Sequence, residues 1–411
     1  MRGKVELLLP ASSLPVLKTA VRYGADAIYI GGETFSLRAN AKNFDMDEMR
    51  EGIEYAHDHG VKVYVTANIL AHNGDLPQAR KYFAQLSEIK PDAVLISDPG
   101  LFLTAREVMP EMEIHISTQA NNTNYGTFNF WYQLGAKRVV TARELSLYEI
   151  SQIRANIPED MEIESFVHGA MCISYSGRCL LSSFLTGRDA NRGACTHPCR
   201  WKYALVEETR PGQYFPVEEN ERGTYIFNSK DLCMIEHIPE MIEAGIDSLK
   251  IEGRMKTALY VATIASAYRR AIDDYYKDPE LYKKNLPLYH EEIRKGTFRE
   301  YTTGFFFGKP DVNAQIYDNN TYQKSFKYLG TITEVDDGWV TFEQKNKFSV
   351  GEEIEVMKPG AEPIVMTVTQ MKNDKGEDID SCPHPGQIIR IYAPGAEVGD
   401  IMRQREESTE E

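Results

Sequence analysis

Residues 23–31, YGADAIYIG, decide the fold because they join a glycine turn to a short apolar strand. A turn built on Gly or Pro, followed by an apolar strand, recurs as HGVKVYVTA at 59–67, IKPDAVLIS at 89–97, LGAKRVVTA at 134–142 and AGIDSLKIE at 244–252. Helical segments precede these turns. Repetition of helix, turn and strand predicts βα units that feed a parallel sheet.

Three further apolar stretches, VELLLPA, IHISTQA and EIESFVHGA, complete a set of eight candidate strands. The predicted strands lie near 5–10, 27–31, 62–68, 93–97, 114–119, 138–143, 162–168 and 248–253. Eight strands with intervening helices over roughly 270 residues predict an α/β fold, a (β/α)8 TIM-like barrel. The connection between the seventh and eighth strands is far longer than an ordinary crossover, and we expect it to be a cysteine-rich insertion.

The sequence changes its pattern after the barrel. Short alternating strands follow residue 322, with Asp337-Gly338 as a hairpin turn, and they predict a small C-terminal β-barrel. We therefore expect a barrel domain at 1–285 with a cysteine-rich segment at 164–235, a connector at 286–321, the β-barrel at 322–405 and a tail at 406–411.

Composition excludes several classes of protein. The chain has 411 residues, 42% of them hydrophobic, and a net charge of −15, which argues against a uniformly basic nucleic-acid binder. The N-terminal apolar run VELLL is too short for a signal peptide, and no run approaches the ~20 apolar residues of a membrane helix. We expect a soluble, cytoplasmic protein with no membrane partner.

Five of the six cysteines cluster in the predicted insertion, at Cys172, Cys179, Cys195, Cys199 and Cys233. Clustered thiols without an export signal indicate metal ligands or catalysts rather than disulfides. Structural zinc usually has two close cysteine pairs, and only one close pair occurs here. An iron–sulfur cluster tolerates irregular spacing and needs four thiolates, so one of the five is spare.

Polar residues follow the predicted strands at the end where a barrel of this kind forms its site. His168, beside the thiols, could ligate the cluster directly, but we favour acid–base chemistry or support of the cluster. Glu164, Glu252 and Arg254 complete the candidate catalytic set, although Arg254 could equally form a salt bridge with either glutamate. The candidate substrate-binding residues are Gln119, Asn121, Arg143, Lys256, Arg178 and Arg200.

A basic island surrounds the thiols. From Cys172 to Lys202 the chain has five basic residues against the single acid Asp189. Such an island can neutralise an anionic cluster or bind the phosphate or carboxylate of a substrate. Trp201 and Tyr203 could stack a nucleobase, although aromatic residues more often pack in a core.

The stretch ESFVHGAMCISYSGRCLLSSFLTGRDANRGACTHPCRWKY resembles the signature of the collagenase-like peptidase family, and LKIEGRMK, LLLPAS, LRANAKNF and STQANNTN are similar to its other motifs. The closest resemblance is to the bacterial proteins that form 5-hydroxyuridine at the wobble position of tRNA. It implies a four-iron, four-sulfur cluster on Cys172, Cys179, Cys195 and Cys233, with Cys199 as a departure from the pattern. It also implies prephenate as co-substrate and tRNA as partner, with a paralogous subunit of the same family as a further candidate partner.

Two other functions remain open from the residues alone. The family name implies a peptidase, a hydrolase, but the sequence contains no HExxH or GxSxG element that would supply hydrolytic chemistry. A non-catalytic RNA-binding subunit is the third alternative. We expect hydroxylation of tRNA, since the thiols suit a cofactor and the basic, aromatic island suits RNA.

Overall fold

The computed structural model describes residues 3–36, 43–172, 174–175, 179–201, 204–205, 215–216, 228–310, 315–316 and 323–406. The helices are α1 (Leu14–Arg22), α2 (Met46–Asp58), α3 (Leu76–Ile89), α4 (Pro99–Val108), α5 (Tyr125–Gln133), α6 (Leu147–Ala155), α7 (Leu181–Thr186), α8 (Ile238–Glu243), α9 (Ala258–Lys277) and α10 (Pro279–Ile293). The strands are β1 (Glu6–Pro10), β2 (Ala27–Gly31), β3 (Lys62–Ala67), β4 (Ala93–Ile96), β5 (Glu113–Ile116), β6 (Arg138–Val140), β7 (Glu162–Ala170), β8 (Ala204–Leu205), β9 (Phe215–Pro216), β10 (Asn228–Ser229), β11 (Asp231–Cys233), β12 (Ser248–Ile251), β13 (Tyr301–Thr302), β14 (Gln315–Ile316), β15 (Phe326–Asp336), β16 (Trp339–Glu343), β17 (Glu353–Met357), β18 (Ile364–Thr367), β19 (Met371–Lys372), β20 (Ile388–Tyr392) and β21 (Ile401–Arg405).

Parallel strands β1 to β7 and β12 form a closed barrel. Each of β1 to β7 pairs with the next, and β12 pairs in parallel with both β7 and β1. The strands are buried along most of their length, as β2 shows with all five residues buried, which is typical of a parallel sheet covered by helices. The predicted TIM-like barrel is therefore confirmed.

The long insertion also lies where the sequence predicts it, between β7 and β12. It contains α7 and then returns to the barrel through β11, which pairs antiparallel with β7 so that Cys233 lies opposite His168. The short strand β13 extends the same sheet by pairing with β11. The barrel sheet thus has an added edge that carries one of the clustered cysteines.

The C-terminal strands form an antiparallel half-barrel in the order β18-β17-β21-β15-β16-β20-β19. The long strand β15 pairs with β21 through its first half and with β16 through its second half. Asp337 and Gly338, both with positive φ, connect β15 to β16 as the predicted two-residue hairpin turn. The core of this domain is apolar and includes Leu329, Ile332, Val340, Phe342, Phe348, Val356 and Met402.

Contacts between Cα atoms divide the chain into two compact units. The first comprises Met1–Leu14, Asp26–Met255 and Arg299–Thr321, and the second comprises Pro15–Ala25, Lys256–Phe298 and Tyr322–Glu411. The contiguous domain boundaries predicted from the sequence stay a prediction. No helix among the residues that the structure describes is long and apolar enough to cross a membrane.

Candidate active site at the mouth of the barrel

The carboxyl ends of the barrel strands surround a polar cavity of about 50 Å³. Its lining includes four residues that the sequence predicts for the site, Gln119, Arg143, Glu252 and Arg254. The structure brings these four together from different βα loops, as the fold requires, because parallel strands end at the same mouth.

Arg254 lies in the wall of this cavity, and only 4% of its surface is exposed. Its Nη1 donates a hydrogen bond of 2.6 Å to Thr66 Oγ1. Thr66 donates its single hydroxyl proton to the carbonyl oxygen of Ile30 at 3.0 Å, so that Ser36 Oγ, also 3.0 Å away, must be a donor to Thr66. Position 31 is glycine because a Cβ there would lie 2.4 Å from Arg254 Nη1.

Arg143 stacks on an aromatic ring. Its Cζ lies 4.0 Å from the centroid of the Phe166 ring, and its Nη2 lies 3.9 Å from Glu252 Oε2. Stacking on the ring and a distant carboxylate fix the guanidinium plane while leaving capacity for further hydrogen bonds.

Lys250 lies in the floor of the cavity, a position that the sequence pattern did not predict. Its Nζ is 4.4 Å from the centroid of the Tyr29 ring and 2.6 Å from Glu164 Oε1. Burial lowers the pKa of the Lys250 amino group, and the Glu164 carboxylate opposes this shift. The signal that could have identified it is a lysine in the middle of the buried strand SLKI.

Glu164 lies below this floor in a network of buried charges. Its Oε2 is 3.3 Å from Arg138 Nη1, which also lies 2.6 Å from Glu6 Oε1. Burial opposes ionisation of Glu6, but the charge and hydrogen bonds of Arg138 outweigh it and lower the pKa of Glu6 to about 2. The same carboxylates outweigh burial in the other direction and raise the pKa of Arg138. Glu164 is thus placed inside the barrel, where Lys250 separates it from the predicted catalytic residues at the mouth.

Amide and hydroxyl groups form the opposite wall. Asn68 Nδ2 donates to Ser117 Oγ at 3.2 Å and to Gln119 Oε1 at 3.1 Å, and Ser117 Oγ also donates to Gln119 Oε1. Asn121 does not line the cavity; it ends the short helical turn after β5 with a left-handed φ of 55°.

Three of the clustered thiols lie within electrostatic reach of one another. Cys172 is an exposed residue, but the protein atoms around its sulfur raise the pKa of its thiol, and the neighbouring Cys179 and Cys195 raise it further, whereas the Ser174 backbone N–H and Arg143 oppose the rise. Arg143 is therefore shared between the cavity and the thiols. The sulfur of Cys195 also accepts a hydrogen bond of 3.4 Å from the backbone N–H of His197.

His168 and Cys233 meet through strand pairing rather than through the chain. His168 is 1% exposed, and its ring centroid lies 5.4 Å from that of Tyr301. The backbone N–H of Glu252 donates to the His168 carbonyl at 2.8 Å. This close approach explains Gly169, which has a φ of 107° and whose added Cβ would lie 2.6 Å from the Glu252 carbonyl oxygen.

The cysteine-rich segment is tied to the barrel by a two-pronged ion pair. Arg192 Nη1 and Nη2 lie 2.8 Å and 3.0 Å from the two carboxylate oxygens of Asp75, just before α3. The Arg192 hydrogen bonds lower the pKa of Asp75 to about 2. One backbone contact, from Leu70 N–H to the Asn191 carbonyl at 3.2 Å, joins the same two regions.

Among the described residues, no three His, Cys, Asp or Glu side chains form a group that could hold a metal ion. An iron–sulfur cluster asks for a different geometry, because each thiolate binds a different iron and the sulfurs stand further apart. Cys172, Cys179 and Cys195 interact electrostatically, and one of their sulfurs accepts an N–H bond of the kind that tunes such clusters. The chemistry of this donor set is compatible with a cluster.

Three predicted substrate-binding residues either lie away from the cavity or are not among the residues that the structure describes. Lys256 Nζ is 5.0 Å from the centroid of the Tyr260 ring, at the start of α9. Arg178 lies outside the described residues, and so does the side chain of Arg200. The structure therefore neither adds these three to the cavity nor gives them another ligand.

Family models cover most of the chain. Residues 12–316 match the model described as "Peptidase family U32" and residues 324–403 match "Peptidase family U32 C-terminal domain". The chain is 42% identical to "tRNA hydroxylation protein P1" of Bacillus subtilis, over 94% of this chain and 92% of the relative. It is 34% identical to "tRNA hydroxylation protein P2" of the same organism, over 74% of this chain and 98% of the relative. It is also 47% identical to an "Uncharacterized protease" of Methanocaldococcus jannaschii, over 76% of this chain and 75% of the relative.

Proposed function

Because the chain belongs to peptidase family U32, and a relative that it matches over 92% of that relative's length is named for tRNA hydroxylation, we propose that it hydroxylates tRNA. The proposed product is 5-hydroxyuridine at the wobble position, formed without molecular oxygen by exchange of a uracil hydrogen for a hydroxyl group of a co-substrate, which takes up the hydrogen. The observation that carries the proposal is the shared Arg143, which lines the cationic cavity and acts on the Cys172 thiol.

The charges that line the cavity suit a carboxylate group, and we propose prephenate as the co-substrate, with one of its carboxylates in this cavity. Arg143 and Arg254 present guanidinium groups that match a carboxylate with two hydrogen bonds each. Lys250 adds positive charge to the floor. Asn68 and Gln119 offer amide groups for the polar remainder of the ligand.

We assign a four-iron, four-sulfur cluster to Cys172, Cys179, Cys195 and Cys233, with Cys199 as the spare thiol or a substitute for Cys195 or Cys233. When bound, such a cluster supplies electron transfer. The chain's own residues would hold the carboxylate beside it, keep the Arg143 charge between cluster and co-substrate, and exclude bulk water from the cavity floor. His168, buried against Tyr301 and opposite Cys233, supports the cluster side of the site.

The peptidase alternative has less support from the site. A cysteine peptidase needs a thiol whose pKa is lowered by a neighbouring base. The protein atoms and the thiols around the Cys172 sulfur instead raise the pKa of its thiol. A non-catalytic RNA-binding role leaves the buried charges of the cavity without a purpose.

Iron content tests the cofactor. We expect Cys172→Ala, Cys179→Ala and Cys233→Ala to lose iron from anaerobically purified protein, because a cluster needs all four thiolates. Cys382→Ala is the matched control, since Cys382 is buried in the half-barrel core with its Sγ 3.4 Å from the Phe348 carbonyl. Separate replacement of Cys195 and Cys199 identifies the spare thiol. Unchanged iron in the first three variants contradicts the cluster.

Mass spectrometry of tRNA nucleosides tests the reaction. The strain must lack this protein and any paralogue, because two relatives occur in a single organism and one could mask the other. We expect 5-hydroxyuridine-derived nucleosides to disappear and to return with the wild-type gene but not with Cys172→Ala. Normal nucleosides in the multiple deletion would overturn the proposal, and release of peptides from gelatin by the pure protein would favour the peptidase.

A further inference from the structure

The outward face of the half-barrel carries a pair of aromatic rings on adjacent strands. Trp339 on β16 pairs with Tyr392 on β20, and their ring centroids lie 5.9 Å apart in an edge-on arrangement. Tyr392 is 40% exposed, while the intervening residues Val340 and Ile391 point into the apolar core. These rings are on the solvent side of the sheet, where the domain's own packing does not need them.

Two cations flank the indole. Lys372 Nζ lies 5.0 Å and Arg390 Cζ lies 5.9 Å from the centroid of the Trp339 ring. Lys372 and Arg390 are opposite each other on β19 and β20. We call Trp339, Lys372, Arg390 and Tyr392 the aromatic face.

The carboxylates near this face bind its cations weakly. Asp336 lies 3.6 Å from Arg390 Nη2 and Asp378 lies 3.9 Å from Lys372 Nζ, and both acids are more than four-fifths exposed. Exposed ion pairs at such distances contribute little to the free energy of folding. Arg390 Nε has no hydrogen-bond partner in the part of the chain that the structure describes. Glu343, further along β16, is paired with Lys345 at 2.7 Å.

We propose that the aromatic face binds RNA by stacking unpaired bases on Trp339 and Tyr392 while Lys372 and Arg390 contact phosphates. Aromatic rings on neighbouring strands, with basic side chains beside them, are the arrangement by which sheets hold single-stranded nucleic acid. In a chain of net charge −15, local cations on an exposed aromatic surface fit a polyanion with planar groups. The inference rests on the proposed function for the identity of that RNA as tRNA.

Binding of the full-length protein to two RNAs tests the proposal. One is a hairpin with a single-stranded loop, and the other is a duplex of equal length without unpaired bases. We expect Trp339→Leu to weaken hairpin binding about fivefold to tenfold and to leave duplex binding unchanged, because a lost stack costs about this much per base. Trp339→Phe should retain most of the affinity.

The charge variants have a different signature. Lys372→Gln and Arg390→Gln should each weaken the binding of both RNAs. Each should also reduce the magnitude of the slope of log K against log salt concentration by about 0.7–0.9. Tyr276→Leu and Lys375→Gln are matched controls, as Tyr276 is 42% exposed on α9 and Lys375 is an exposed lysine beyond β19. Unfolding midpoints in urea verify that each variant is folded.

The outcomes separate this inference from the proposed function. Equal hairpin binding by folded Trp339→Leu and wild type overturns the aromatic face even if tRNA hydroxylation is established. Loss of binding in that variant supports the face even if the nucleoside analysis shows no hydroxylation. Wild-type protein that binds neither RNA overturns the face outright.

Discussion

The side chains at the centres of the two β-structures differ in charge. The closed barrel contains buried charges, with Arg138, Glu164 and Lys250 each at most 3% exposed. The core cluster of the half-barrel is apolar, with side chains such as Phe342, and a buried cation of that domain, Arg403, lies outside this cluster in ion pairs with two glutamates. Burial of apolar surface lowers the free energy of the folded state, whereas burial of a charge raises it unless the charge is paired.

This difference indicates where each part of the molecule keeps its chemistry. The barrel holds charges inside, where a low dielectric strengthens their action on a small ligand. The half-barrel carries Lys372, Arg390 and the two rings of the aromatic face on its outer side, where a macromolecule can reach them. This difference agrees with the two proposals, a small co-substrate in the barrel and RNA on the half-barrel surface.

Removing the central cation of the barrel should have the largest effect. Arg138→Met removes the cation that pairs with Glu6 and leaves Glu164 with Lys250 as its remaining cation, and we expect a loss of about 3–5 kcal/mol in the free energy of unfolding. Urea denaturation at neutral pH measures it. Arg80→Met is the matched control, because Arg80 pairs with Glu107 at the surface and should cost less than about 1 kcal/mol. Equal losses in the two variants would contradict the barrel's dependence on paired charge.

Truncation in the apolar core should cost slightly less and respond differently to pH. Phe342→Ala creates a cavity, for which we expect a loss of about 3–4 kcal/mol. The loss should be the same at pH 7 and pH 4, since no titrating group is removed. Val365→Ala, at a position 55% exposed, controls for loss of side-chain volume. A strongly pH-dependent loss for Phe342→Ala would contradict the expectation that this core is stabilised without titrating groups.

Acid should weaken the barrel through Glu6. Its pKa is depressed to about 2 from 4.5, so its contribution is complete above pH 4.5 and is lost as the pH falls towards 2. The shift corresponds to about 3 kcal/mol. We expect the unfolding free energy of wild type to fall between pH 5 and pH 3 more steeply than that of Glu6→Gln. Parallel curves for the two proteins would show that Glu6 is not the titrating group.

The sequence predicted the elements whose pattern is local. All eight barrel strands and the Asp337-Gly338 turn are where their patterns place them, because strand hydrophobicity and turn residues act over a few positions. Helix α10 was not predicted, since Pro287 interrupts its pattern although the helix continues through it. The pairing of Cys233 with His168 and the position of Lys250 below Arg143 depend on long-range strand order, which local patterns do not specify.

At the mouth of the barrel, geometry rather than charge should matter. Arg254→Lys keeps the charge but loses the fork that both contacts Thr66 and matches a carboxylate. We expect prephenate to bind about tenfold more weakly, equivalent to about 1.4 kcal/mol, when measured by calorimetry. Lys283→Arg on α10, which pairs with Glu280 in solvent, should bind it as wild type does. Full affinity in Arg254→Lys would make Arg254 a structural residue.

The smallest expected effects are on the stability of the half-barrel and on RNA binding by its aromatic face. Gly338 has a φ of 78°, and a Cβ there would lie 2.8 Å from the Tyr392 ring, whereas Gly351, with a φ of 88°, has nothing within 4 Å of the equivalent position. An L-residue in this region costs about 1 kcal/mol by itself. Gly351→Ala should therefore show that backbone cost alone in urea denaturation. Gly338→Ala should show the same cost or slightly more and should also weaken hairpin RNA binding, because the added methyl group displaces Tyr392 from the aromatic face. If both variants lose equal stability and bind the hairpin as wild type does, then Tyr392 either yields without cost or takes no part in binding, and the face reduces to Trp339 and its two cations.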